Sequence, residues 1–217
     1  MKGLVNYTSA ASDAWVEKYR PHILEETLLP RALKTKLVTY RDLENAPHLL
    51  FYGHPGTGKT STARTLNPEC RLHLNATGLD ATFFDSSEFH ATLSAMRSVG
   101  YDGNRRRVII LDEADALTER AQQSLRSTVE QFASGNWFIF VVNHLGKIIP
   151  ALQSRTVSIS YDFLQDKEEM MELMVNRCLE ILTREHQQYT EANVRKLVTI
   201  QYPDMRAMLS YLQFHTT

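Results

Sequence analysis

The sequence has few cysteines and no long apolar run. Its 2 cysteines among 217 residues, Cys70 and Cys178, lie far apart, so neither a disulfide framework nor a zinc site is supported. Residues 1–12 lack the apolar core of a signal peptide, and no apolar run reaches membrane-spanning length. We therefore expect two buried, reduced thiols and a protein that stays in the cytoplasm, or in the nucleus of a eukaryote.

A strong net charge is also absent. The chain carries 24 basic and 25 acidic residues, a formal charge of -1. This balance excludes a general electrostatic attraction to nucleic acid or to an anionic membrane, so a DNA contact would need a local basic patch. A hydrophobic content of 43% is enough for the core of one large domain or two modest ones.

Segments that suit strands alternate with segments that suit helices between His48 and Ser160. The predicted strands are His48–Tyr52, Arg71–Ala76, Val108–Leu111 and Trp137–Val142, and the predicted helices are Lys59–Leu66, Phe83–Ser98 and Glu119–Phe132. Such alternation predicts βαβ units and a mainly parallel sheet between helical layers. After Tyr161 the pattern indicates only helices, Lys167–Arg184 and Glu191–Gln213. We therefore expect an α/β domain over residues 1–161 and a small helical domain over 162–217.

The first predicted strand runs into a glycine-rich segment that ends in Lys59 and Thr60 and precedes a predicted helix. It fits the pattern G-x-x-x-x-G-K-[ST], in which backbone N–H groups hold phosphates, the lysine reaches the β- and γ-phosphates, and the hydroxyl ligates Mg²⁺. The alternative is a chance glycine-rich turn. The predicted nucleotide-binding residues are Gly53, Pro55, Gly56, Thr57, Gly58, Lys59, Thr60 and Ser61. This motif predicts ATP and Mg²⁺ as cofactors and a P-loop nucleotide-binding fold.

An acidic pair, Asp112 and Glu113, follows the most apolar predicted strand. Ligands bind at the carboxyl ends of the strands in open parallel sheets. Asp112 is predicted to hold Mg²⁺, and Glu113 to act as the general base on the attacking water. The alternative is an acidic first turn of the next helix, which the helix dipole favours, and we assign Asp115 to that alternative.

Beyond these motifs the chain resembles the AAA+ clamp-loader ATPases, which include the replication factor C small subunits and their tailed-phage counterparts. The resemblance rests on four further segments: Trp15–Pro21, Ala121–Arg126, Gln153–Arg155 and Pro203–Arg206. It implies a three-layer AAA+ domain followed by a helical lid. The family usually carries a further helical collar domain, which we do not find in this sequence.

The resemblance also implies roles for particular residues. Val16, Tyr19, Arg20 and Pro21 would line the pocket for the base. Asn143 would be a sensor that positions the water, although an asparagine there also suits a turn. Arg155 would be a finger that reaches the neighbouring subunit's nucleotide, in a segment that has Thr156 where the family usually has cysteine.

The last implied roles concern the helical lid and the predicted helix Glu119–Phe132. Arg206 would be a second sensor on a lid helix, where the family often has glycine in place of Pro203. Gln122 and Arg126 would relay DNA contact to the active site, with simple surface solvation as the alternative.

The densest basic cluster consists of Arg97, Arg105, Arg106 and Arg107. Such clusters are usually solvated loops, but a ring of subunits needs only a few positive groups on each to grip duplex phosphates. We hypothesise that some of these arginines contact the DNA backbone.

The predicted function is that of an ATPase subunit of a sliding-clamp loader. Its partners would be other loader subunits, the sliding clamp and primer-template DNA, with no membrane. A DEAD-type helicase is disfavoured, because fewer than sixty residues follow Tyr161, too few for a second motor domain. Another AAA+ protein, such as a helicase loader or branch-migration motor, and a subunit that binds nucleotide without hydrolysing it are the remaining alternatives.

Overall fold

The computed structural model of the protein describes residues 14–42, 46–67, 71–98 and 107–215. The chain divides into two compact units. Among the described residues, one runs from Pro21 to Met170, and the other combines residues 14–20 with residues 171–215. This division differs from the predicted domains 1–161 and 162–217. The opening helix joins the C-terminal helices because it packs with them: the Trp15 N–H donates to Gln213 Oε1 at 2.9 Å.

A parallel sheet forms the centre of the larger unit. Its strands in the described part of the chain are β1 His48–Tyr52, β2 Arg71–Asn75, β3 Arg107–Asp112, β4 Asn136–Val142 and β5 Thr156–Ser160. The order is β2-β3-β4-β1-β5, and every neighbouring pair is parallel. The predicted α/β class with a parallel sheet is confirmed. As expected, β3 lies beside β4, with Ile110 opposite Ile139.

Helices of very different length surround the sheet and form the second unit. They are α1 Trp15–Lys18, α2 Arg31–Asp42, α3 Lys59–Thr65, α4 Ala81–Phe84, α5 Ser87–Ser98, α6 Glu119–Phe132, α7 Pro150–Gln153, α8 Lys167–Arg184, α9 Glu191–Gln201 and α10 Met205–His215. Single 3₁₀ turns occupy Leu24–Glu26, Ala114–Ala116 and Leu145–Lys147. Neither α2 nor the bounds of β5 were predicted from the sequence.

Two predicted helices are each divided in the structure. The segment Phe83–Ser98 forms α4 and α5, because the Ser86 hydroxyl accepts a hydrogen bond from the Phe89 N–H at 3.2 Å and begins a new helix. The segment Glu191–Gln213 is interrupted at Pro203, which has no N–H to continue the helix. The Asp204 carboxylate then accepts from the Ala207 N–H at 2.9 Å, so α10 begins after the proline.

Each unit has its own apolar interior. In the larger unit β1, β3 and β4 are buried along almost their whole length, and Leu125 and Val129 of α6 pack in the same cluster. In the helical unit Trp15, Cys178 and Leu212 are buried. None of the helices in the described ranges has the length and apolar character needed to cross a membrane.

Candidate nucleotide and metal site

The loop between β1 and α3 is shaped by glycines with positive φ. Gly53, Gly56 and Gly58 have φ of 136°, 74° and 89°, values that side-chain-bearing residues rarely adopt. Gly58 directly precedes α3, and its carbonyl accepts the first helical bond, from the Thr62 N–H at 2.8 Å. The Thr57 hydroxyl closes the turn on the His54 carbonyl at 2.9 Å. The loop therefore presents a helix N-terminus, the feature that favours bound anions.

Lys59 is almost fully buried inside this loop. Its side chain is 6% exposed, and Nζ donates to the carbonyls of Gly53 at 2.7 Å and His54 at 2.6 Å. The loop thus folds around the ammonium group that the motif assigns to phosphate. A phosphate oxygen would have to compete with two charge-assisted hydrogen bonds.

Thr60 and Asp112 meet at the carboxyl edge of the sheet. The Thr60 hydroxyl donates to Asp112 Oδ1 at 3.1 Å, and His73 Nε2 lies 3.2 Å from Asp112 Oδ2. Burial raises the pKa of the Asp112 carboxyl, but the interactions with His73 and Thr60 outweigh it and leave that pKa below the usual range. An ionised carboxylate beside a hydroxyl is an oxygen donor set that suits Mg²⁺.

Glu113 adopts a left-handed backbone, with φ of 57° and ψ of 35°. This conformation is uncommon for a residue other than glycine. The Glu113 carboxylate accepts a hydrogen bond from the Thr77 hydroxyl, just beyond β2, at 2.5 Å. The predicted base is therefore already hydrogen-bonded within its own chain, and Thr77 is a partner that the sequence motifs did not reveal.

Asp115 has a more specific role than the acidic helix start predicted from the sequence. Its Oδ2 accepts hydrogen bonds from the backbone N–H groups of Asn143 at 3.2 Å and His144 at 3.1 Å. The carboxylate thereby ties the loop that follows β4 to the acidic segment that follows β3. Asn143 itself is exposed at this edge of the sheet.

Asp162 is a further residue that the motifs did not reveal. It follows β5, and its Oδ1 accepts from the His54 backbone N–H at 3.0 Å and lies 2.6 Å from His54 Nδ1. Burial raises the pKa of Asp162, but the hydrogen bonds from His54 outweigh it and lower that pKa. Asp162 therefore holds the glycine-rich loop from the neighbouring strand. Its place at the carboxyl end of a strand was the one available signal.

Arg155, the predicted finger, is paired within its own chain. Its Nε donates to Glu130 Oε1 of α6 at 2.6 Å, and its Nη2 forms an ion pair with the same carboxylate. The Arg155 Nη1 donates to the Ala151 carbonyl at 2.6 Å. Arg155 and Glu130 are both partly exposed. Surface ion pairs of this kind contribute about 0–1 kcal/mol, so little free energy opposes their exchange for another partner.

Of the residues predicted for the base pocket and the second sensor, Pro21 lies in the larger unit, and Val16, Tyr19, Arg20 and Arg206 lie in the helical unit. The Tyr19 hydroxyl donates to Glu185 at the end of α8, and Arg177 donates to the Tyr19 carbonyl at 3.3 Å. Arg20 is bonded to Glu17 at 2.9 Å. Val16 is half-buried, and Arg206 is exposed on α10. Tyr19 and Arg20 are therefore held in place by contacts within the helical unit.

Gln122 and Arg126 lie on one face of α6 but differ in burial. Gln122 is 2% exposed; its amide donates to the carbonyls of Leu117 at 3.1 Å and Lys147 at 2.9 Å and accepts from the Ile149 N–H at 2.8 Å. Simple surface solvation is therefore wrong for Gln122, while the Arg126 side chain is 42% exposed. Gln122 links α6 to the loop that leads to α7 and Arg155.

The basic cluster is described only in part. Arg107 begins β3 and is half-buried. Arg105, Arg106 and the side chain of Arg97 lie outside the described residues, as do Cys70 and residues 1–12.

Comparison with known proteins identifies the family. The family model for the ATPase family associated with various cellular activities (AAA) matches residues 49–162, which span the glycine-rich loop, the acidic pair and Asp162. The chain belongs to the AAA family. Within this AAA domain the match begins in β1 and ends just after β5.

The chain is also similar to replication factor C subunits. Human replication factor C subunit 5 is 36% identical over 211 residues, which are 92% of this chain and 59% of the relative. The replication factor C small subunit of Archaeoglobus fulgidus is 35% identical over 93% of this chain and 63% of its own length. The chain therefore spans about three fifths of the length of the relatives it matches.

Solved structures show the same fold. The Thermotoga maritima RuvB Holliday junction branch migration motor superposes with a TM-score of 0.62 at 18% identity, over 90% of this chain and 64% of the other. At this level of identity the likeness concerns the fold alone.

Proposed function

We propose that this chain is an ATPase subunit of a sliding-clamp loader. ATP binding and hydrolysis would drive clamp opening, placement on primer-template DNA and release. The observation that carries the proposal is the contact of Thr60 with Asp112, next to a glycine-rich loop that folds around Lys59. The chain is also similar over more than nine tenths of its length to replication factor C subunits.

Phosphate binding follows from the state of the glycine-rich loop. When ATP binds, Lys59 donates to the β- and γ-phosphates instead of the carbonyls of Gly53 and His54. The backbone N–H groups of residues 56–60 face the same anion. Val16, Tyr19, Arg20 and Pro21 take the base. The Lys59 ammonium group therefore has oxygen acceptors for its hydrogen bonds both before and after ATP binds.

Thr60 and Asp112 fit the divalent ion that accompanies ATP. Their contact of 3.1 Å brings together two hard oxygen donors. When bound, Mg²⁺ neutralises charge on the phosphates during transfer. Asp112 is suited to this because its lowered pKa keeps it ionised.

Glu113 acts as the general base, and Asn143 and Arg206 orient the γ-phosphate and the attacking water. Glu113 must first leave its 2.5 Å hydrogen bond with Thr77, so the step requires a shift of that carboxylate. Arg155 completes the site of a neighbouring subunit after it leaves Glu130. An isolated chain is therefore expected to hydrolyse ATP slowly.

The test is ATP turnover by the full chain together with its partner subunits, with and without primed DNA and the sliding clamp of the same organism. Stimulation by DNA and clamp together is expected. Lys59→Ala should abolish turnover, whereas the exposed Lys196→Ala should match the wild type. Turnover that responds to a four-way junction and not to clamp with primed DNA would instead favour a branch-migration motor.

The action of Arg155 across subunits has its own test. Arg155→Ala subunits mixed with wild-type subunits should lower turnover at the neighbouring site while retaining nucleotide binding at their own. Full turnover in an assembly made only of Arg155→Ala subunits would contradict the proposed role.

A DNA contact by the basic cluster is proposed separately. Replacing Arg105, Arg106 and Arg107 by alanine should lower the dependence of log affinity on log salt by up to about 0.9 for each lost phosphate contact. An unchanged salt slope would rule the cluster out.

A further inference from the structure

A line of polar side chains joins the first helix after the loop to the proposed metal ligand. Arg64 of α3 lies beside His73 of β2, and Arg64 Nη2 is 2.9 Å from His73 Nδ1. On the other side of the ring, His73 Nε2 lies 3.2 Å from Asp112 Oδ2. Asp112 Oδ1 in turn accepts from the Thr60 hydroxyl at 3.1 Å. Three elements, α3, β2 and β3, therefore meet in one hydrogen-bonded chain.

The contact with Arg64 determines which ring nitrogen of His73 can donate to Asp112. A guanidinium group has no acceptor atom, so the contact with Nδ1 requires a lone pair on that nitrogen. The ring proton then lies on Nε2, which donates to Asp112 Oδ2. The contact with Arg64 thereby assigns the donor role toward Asp112 to Nε2 and fixes its direction.

This donor leaves the two oxygens of Asp112 in different environments. Oδ2 is held by His73, while Oδ1 accepts from the Thr60 hydroxyl and from the Glu113 N–H at 3.2 Å. His73 and Asp112 are both largely shielded from water, with side chains 25% and 19% exposed. A partly buried hydrogen bond on one oxygen restricts rotation of the whole carboxylate.

We propose that His73 is a positioning residue for the Mg²⁺ ion of the bound nucleotide, acting by holding Asp112 Oδ2 so that Oδ1 stays beside Thr60. The proposal rests on the proposed function, in which Thr60 and Asp112 hold that ion. Partners that orient a metal ligand in this way usually affect metal affinity about 10- to 100-fold.

The experiment measures Mg²⁺ dependence of nucleotide binding by the full chain, using fluorescent ADP titrated at a series of Mg²⁺ concentrations and in EDTA. The variants are His73→Leu, which removes the donor, and His73→Gln, which retains an amide donor toward Asp112. His215→Leu, on the exposed end of α10, is the control for loss of a histidine.

His73→Leu is expected to raise the half-saturating Mg²⁺ concentration by about 10-fold or more, with unchanged ADP affinity in EDTA. His73→Gln should recover most of the difference, and the control should match the wild type. An equal loss of ADP affinity with and without Mg²⁺ would overturn the proposal, because it would indicate a purely structural role. An unchanged Mg²⁺ midpoint in His73→Leu would overturn it while leaving the proposed function intact. If wild-type chain binds no nucleotide at all, both fail.

Discussion

Single residues at the glycine-rich loop combine two demands, a special backbone conformation and close packing. Gly53 has φ of 136°, and a Cβ there would lie 2.8 Å from Asp162 Oδ1 and 3.2 Å from the Asp162 backbone nitrogen. We expect Gly53→Ala to lower the free energy of unfolding by about 1–3 kcal/mol, from backbone strain and from displacement of Asp162. Urea unfolding measures this.

Gly146 provides the matched control for that substitution. A Cβ at Gly146 would meet nothing within 4 Å, so Gly146→Ala should change stability by less than about 0.5 kcal/mol. Equal effects at the two glycines would contradict the assigned role of Gly53.

Cys178 is the second residue whose surroundings allow a prediction. It is buried in α8, and burial raises the pKa of its thiol from 9.0 to about 12. In a Cys70→Ser background, iodoacetamide at pH 8 should modify Cys178 at least about 100-fold more slowly in the folded chain than in urea, because reaction requires opening of the structure.

The same shift predicts a loss of stability at alkaline pH. A pKa that is higher in the folded state gives stability that is fully present below pH 9 and is lost as pH rises toward 12. Between pH 8 and 10.5 the free energy of unfolding should therefore fall more in the wild type than in Cys178→Ala. Parallel pH profiles would show that the thiol is accessible.

At the scale of elements, α6 depends on a buried amide at one end of its apolar face. Gln122 satisfies three backbone groups of neighbouring segments. Gln122→Ala would leave them without partners in a buried region, at a cost of about 2–4 kcal/mol. The adjacent Gln123 is exposed, so Gln123→Ala should stay within about 0.5 kcal/mol of wild type. Chemical denaturation of both variants decides whether the amide stabilises this junction.

The comparison of sequence and structure also belongs to this scale. Strands β1, β3 and β4 could be predicted because continuous apolar runs are typical of buried parallel strands, and the glycine-rich loop because its spacing is specific. Helix α2 was missed because, among its residues 31–41, only Leu37 is buried, so the apolar stripe is narrow. The division of Phe83–Ser98 depends on one serine cap.

Partners that come from distant segments could not be read from the sequence. His73 and Thr77 reach the acidic pair only because β2 pairs with β3, and Asp162 reaches the glycine-rich loop only because β5 pairs with β1. Likewise, the contact of Asp115 with the Asn143 backbone joins loops 28 residues apart. Local motifs identify residues that meet a ligand, whereas the residues that hold them depend on topology.

At the scale of the whole molecule, nucleotide binding is coupled to the stability of the fold. The proposed phosphate- and metal-binding residues Lys59, Thr60 and Asp112 all belong to the larger unit. A ligand that binds only the folded chain stabilises it by RT ln(1 + [L]/Kd), about 2.7 kcal/mol at 100 times Kd. For a chain of 217 residues this corresponds to a rise in Tm of about 5–11 °C.

We therefore expect Mg²⁺ and a non-hydrolysable ATP analogue to raise Tm in the wild type by that amount, and not in Lys59→Ala, which lacks the phosphate-binding ammonium group. The exposed Lys196→Ala should keep the full shift, because it removes a lysine far along the sequence from the glycine-rich loop. Differential scanning fluorimetry with and without analogue measures all three. A full shift in Lys59→Ala would contradict the site itself.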